Sequence, residues 1–87
     1  MHATVVRVRI KDVEDATRDL QEKVVPAVSQ APGFVAGYWT REGNGGLSMI
    51  VFESEEAAQA ASERVREMAP DAVDVEEVDV REVVAHA

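Results

Sequence analysis

The chain has 87 residues, no cysteine, and 17 acidic against 9 basic side chains, for a net charge of −8. That length makes one domain, and the missing thiols exclude disulfides and thiolate metal sites. The acidic balance repels a phosphate backbone and disfavours anionic membrane surfaces, and no apolar run approaches the ~20 residues of a membrane span. A domain this small buries only about 60% of the surface its unfolded chain exposes. Oligomerisation is therefore the expected support. The N-terminal stretch MHATVVRVRI lacks the basic-then-apolar layout of a secretory signal, so a cytoplasmic protein is expected.

From the N-terminus, Thr4 to Ile10 alternates at period two and is rich in β-branched residues, which predicts a strand. Asp12 stands as the N-cap of a helix in which Val13, Ala16, Leu20, Val24, Ala27, Val28 and Ala31 recur on one side. Pro26 falls inside that pattern and predicts a kink or irregular last turn, and Pro32-Gly33 ends the segment. Phe34 to Arg41 and Leu47 to Phe52 then read as two strands around EGNGG. A type I′ turn at Asn44-Gly45 would pair Trp39 with Ile50, Gly37 with Phe52 and Arg41 with Ser48. In that register Val35, Trp39, Ile50 and Phe52 share one face, while Phe34, Ala36, Tyr38, Leu47, Met49 and Val51 share the other.

Ser54 caps a second helix with Glu55 and Glu56 in its first turn and an inner stripe of Ala58, Ala61, Val65 and Met68. Pro70 follows its end. Val73 to Val84 is the last strand. Its apolar phase switches between Val75 and Val78, and a bulge at Glu76-Glu77 restores the alternation. The order βαββαβ predicts a ferredoxin-like α+β fold: a four-stranded antiparallel sheet with both helices on one face. The other face is apolar too, and monomers rarely leave such an area wet. A second copy of the chain is the expected cover, making a homodimer through the sheet face.

This element order, with Pro32-Gly33-Phe34 after the first helix, Gly37-Tyr38-Trp39 in the second strand and Phe52-Glu53-Ser54 before an alanine-rich helix, resembles the dimeric α+β barrels. Within that superfamily the chain looks most like the antibiotic biosynthesis monooxygenase-like proteins, over nearly its whole length. The resemblance implies a single barrel-forming domain spanning residues 1–87. It further implies oxidation of an aromatic or quinone-like small molecule by dioxygen, without flavin, metal or other cofactor. Some members of that group degrade haem, and several carry a tryptophan at the end of the third strand and a histidine on the second helix. Here Phe52 takes the strand position and no histidine occurs from Glu55 to Ala69, which argues against a haem role.

No catalytic set is legible: Ser-His-Asp and Cys-His arrangements, phosphate-binding glycine loops and HExxH are all missing. The expected binding residues are Trp39, Phe52, Arg7, Arg9 and Tyr38. Trp39 either stacks on a planar ligand or anchors the core. Tyr38 is a hydrogen-bond donor or an interface tyrosine. Arg7 and Arg9 either pair with acids of the last strand, Asp79 and Glu82 being candidates, or hold an anionic oxygen. His2 and His86 fall at one end of the sheet, but frayed termini rarely hold a metal, and none is expected. Three functions remain open: a cofactor-independent monooxygenase, a non-catalytic small-molecule-binding dimer, and a structural interaction module. A cavity of several hundred Å³ beside Trp39 would favour the first two, and dense packing the third.

Overall fold

The computed structural model describes all 87 residues. Strand β1 (His2–Ile10) leads to helix α1 (Val13–Asp19), a π-helical turn over Leu20–Val24, and α2 (Val25–Ser29). The hairpin β2 (Phe34–Glu42) and β3 (Gly45–Phe52) follows, then α3 (Glu55–Met68) and β4 (Val73–Glu82). The four strands form one antiparallel sheet in the order β2-β3-β1-β4. This is the ferredoxin-like α+β fold expected from the sequence.

Both predicted helix caps form. The Asp12 carboxylate accepts from the Asp15 N–H at 3.0 Å, and the Ser54 hydroxyl accepts from the Ala57 N–H at 3.1 Å. Each satisfies a donor that has no partner within its own helix. The irregularity tied to Pro26 lies just before it. Proline has no N–H, and its ring crowds the carbonyl four residues earlier. The chain widens into a π turn there, with the Val25 N–H donating to the Leu20 carbonyl five residues back.

Strand β4 carries the bulge expected at its phase switch. Arg7 pairs with Glu77 but Val8 pairs with Val75, so Glu76 is the extra residue. Val73, Val75, Val78 and Val80 therefore all turn toward the helices. Two details of the hairpin differ from expectation. Trp39 pairs with Ser48, Gly37 with Ile50 and Arg41 with Gly46, so Gly43-Asn44 makes the turn. Gly43 has φ +59 while Asn44 is not positive, which is the II′ pattern, with glycine first. A further bulge between Phe34 and Ala36 puts Val35 out of phase. Phe34 consequently lies on the helix side, its ring edge-on to Phe52 at 6.3 Å and 81°, whereas Val35 is exposed.

The main packed cluster is small and sits at one end, with Val6, Ile10 and Ala16 buried outside it. Ile50, Phe52 and Ala58 form its buried centre, with Val28, Ala31, Phe34, Trp39, Ala57, Ala61 and Val80 packed against them. Thr4, fully buried, donates its hydroxyl to the Ala58 carbonyl at 2.8 Å and ties α3 to β1. A buried hydrogen bond of this kind is worth on the order of 1 kcal/mol. Alanines at 57, 58 and 61 let α3 lie close to the sheet at this end.

The opposite sheet face has two halves. Tyr38, Leu47 and Met49 on β2 and β3 are each at least 44% exposed. On β1 and β4 the same face is charged: Arg7 pairs with Glu77 at 3.2 Å and Arg81 with Asp79 at 3.4 Å. The partner of Arg7 is thus Glu77 and not Asp79 or Glu82, because the bulge at Glu76 sets the register. Arg9 lies opposite Asp74 but forms no ion pair, since Asp74 is taken by Lys11 at 3.2 Å.

Candidate functional site

Between the helices and the hairpin end of the sheet lies a cavity of about 740 Å³. This falls within the ~300–1,000 Å³ range of small-molecule sites. Its floor is the inner face of the sheet: Val6, Val8 and Ile10 of β1, Ser48 and Ile50 of β3, Trp39 of β2, and Val73 and Val75 of β4. Its roof comes from Leu20, Val24 and Val28 on one side and Ala61, Val65 and Met68 on the other. Small residues leave this room. Ala16, Ala27 and Ala61 line the space where larger side chains would fill it. Leu20 and Val24 point into the cavity from the π turn and stay only half-buried.

Trp39 is held by a close approach. A Cβ on Gly37 would come within 2.8 Å of Cη2 and Cζ3 of the Trp39 ring. The outer edge of the indole therefore lies directly over Gly37, which only glycine permits. A Gly37→Ala variant is expected to displace the ring and to destabilise the fold by about 1–3 kcal/mol. Because Trp39 is the sole tryptophan, the displacement is read as a shifted emission maximum together with a lower denaturation midpoint. An unchanged spectrum would show that the indole does not rest on Gly37.

Polar side chains mark the edges of the cavity. Thr17 and Gln21 come from the first helical segment, Thr40 and Arg41 from β2, and Arg64 and Glu67 from α3. All six are exposed. Within the floor the hydroxyl of Ser48, paired across the strands with Trp39, is the polar group of an otherwise apolar surface. No nucleophile–base pair stands on the lining. The arrangement is suited to enclosing an apolar, flat molecule and fixing one edge of it.

The expected binding residues divide between the two faces of the sheet. Trp39 lines the cavity, and Phe52 lies beneath it, wholly buried in the core. Arg7, Arg9 and Tyr38 do not, because each has the opposite strand phase. Arg7 sits beside Glu77, Tyr38 is paired with Met49, and Tyr38 is 66% exposed. The histidines also separate in role: His2 Nε2 lies 3.2 Å from Glu55 Oε2, near the cap of α3, while His86 follows the last strand. Ser48 and Arg64 escaped the sequence reading. Both had a phase signal, Ser48 two residues before Ile50 and Arg64 three after Ala61 on the inner stripe.

No family model matches the chain, and no curated protein matches it. A solved structure does: a dimeric ferredoxin-like protein from an uncultured marine organism, at a TM-score of 0.61 and 11% identity. The match covers 100% of this chain and 98% of that one. At this identity the likeness carries the fold alone. No helix is long and apolar enough to cross a membrane.

Proposed function

We propose that the chain acts as a cytoplasmic homodimer that binds a small planar aromatic molecule in the cavity above Trp39. The observation that carries this reading is the 740 Å³ apolar space with an indole fixed on its floor. Dense packing at that point would have left only a structural role. An aromatic ring gains both area burial and ring–ring attraction against Trp39, about 0.5–1.5 kcal/mol beyond burial itself.

Dimerisation is supported by the exposed Tyr38, Leu47 and Met49 on the other face. A two-fold pairing would lay these apolar halves together and bring Arg9, which has no acid partner of its own, toward the acids of a second copy. The fold neighbour is itself described as dimeric.

Within this reading, the chemistry implied by the resemblance to the antibiotic biosynthesis monooxygenase-like proteins is the second possibility. An anthrone or dihydroquinone would lose a proton, and its carbanion or enolate would reduce dioxygen directly. For an anthrone, one oxygen atom ends in the new carbonyl and the other leaves as water, so the substrate supplies all four electrons. A largely apolar cavity with an indole platform is the environment such a step asks for. Two measurements separate the readings. Ligand binding is expected to raise the melting temperature in a thermal-shift screen of aromatic compounds, and an oxygen electrode then reports turnover. Oxygen uptake above the buffer rate with anthrone establishes the oxygenase. Stabilisation without uptake establishes a binder, and no stabilisation by any aromatic compound would overturn both.

A further inference from the structure

Of the nine cationic side chains, most are neutralised within the chain. Arg7, Lys11, Arg18, Lys23 and Arg81 form ion pairs, and Arg66 donates to the Val75 carbonyl. Arg9, on the opposite face of the sheet, and Arg64 have no partner, and Arg41 donates only to the neutral carbonyl of Gly43, at 2.9 Å. Of these three, Arg41 and Arg64 line the cavity. In a protein with 17 acids an unpaired arginine is not short of available carboxylates. Glu67 borders the same cavity, one turn from Arg64, yet forms no ion pair with it. The cavity edge thus carries two guanidinium groups unneutralised by any acid, against one carboxylate.

We infer that the ligand carries an ionised oxygen, a carboxylate or an acidic phenolate, on the edge of its aromatic body, and that Arg64 receives it. This rests on the binding reading above and narrows it to aromatic acids. Guanidinium suits the role because it stays charged at all working pH values and presents paired donors to a carboxylate. The apolar floor takes the rings and leaves the charged end at the exposed rim, where it stays partly hydrated. No charge then has to be buried outright.

The test uses an isosteric pair, 2-naphthoate and 2-naphthamide, titrated by calorimetry into the wild-type protein and into Arg64→Gln and Arg41→Gln variants. In the wild type the acid is expected to bind about tenfold more tightly than the amide. Its advantage should shrink as salt is raised. Arg64→Gln is expected to abolish most of the advantage by weakening the acid much more than the amide, a split that a merely structural role for Arg64 would not produce. Equal affinities for acid and amide in the wild type would overturn the inference and leave the binding reading intact. So would an advantage that survives Arg64→Gln. Failure of both probes to bind at millimolar concentration would overturn the binding reading, and the inference with it.

Discussion

Replacing Phe52 by alanine is expected to cost about 3–5 kcal/mol of stability, as large aromatic-to-alanine changes in cores do. Phe52 is 0% exposed and meets Phe34 edge-on, so truncation removes both its burial and a ring contact. The surroundings cannot close over the loss. On one side lies the backbone of a tightly packed α3, and on the other the existing cavity, which offers no atoms to move in. A domain of this size is typically stable by only about 5–15 kcal/mol, so the variant should be near its limit. Chemical denaturation of the variant beside a Phe52→Leu control measures the effect. A loss below about 1 kcal/mol would mean that the core is centred elsewhere.

The second large effect lies on the other face of the sheet. A Met49→Glu variant is expected to abolish the proposed homodimer at concentrations where that reading has the wild type paired. Met49 is 44% exposed and flanked across the strands by Tyr38 and Val5, in the middle of the apolar half. By two-fold symmetry each substitution places two like charges in the interface. Burying an unpaired carboxylate there costs several kcal/mol. In the isolated protomer the new side chain simply faces water, so the fold should survive. Sedimentation velocity should show a species of half the mass with an unchanged circular-dichroism spectrum. A stable dimer in the variant would place the pairing surface elsewhere.

The fold was written in local patterns that need no partner to be read. Alternation in Thr4 to Ile10, the cap residues Asp12 and Ser54, and the phase switch at Glu76 are each visible in a few adjacent residues. The hairpin was harder because three glycines around Asn44 permit neighbouring turns, and strand phase alone does not choose among registers two residues apart. The bulge at Val35 gave no signal: Phe34 and Val35 are both apolar, and only the packing of Phe34 on Phe52 decides which turns inward. The π turn was legible only as an irregularity near Pro26.

The site was half legible. Aromatic character marked Trp39 and Phe52, and the sheet's inner face holds both. Arg7 and Arg9 drew attention as charges in an inner strand, but on the face away from the helices a charge needs only water or a neighbour such as Glu77. Whether side chains meet across the helix layer or leave a cavity depends on helix spacing, which no single residue encodes. For that reason the cavity, and with it Arg64, emerged only from the folded structure.

The most direct measurement follows the emission of Trp39 while a planar aromatic compound, the non-fluorescent anthraquinone-2-carboxylate, is titrated in. As the sole tryptophan, on the floor of the cavity, it reports that site without interference. A saturable quench at one molecule per protomer, weakened in Gly37→Ala, is the result expected. Full emission throughout the titration, with the protein folded, would contradict a ligand site over Trp39.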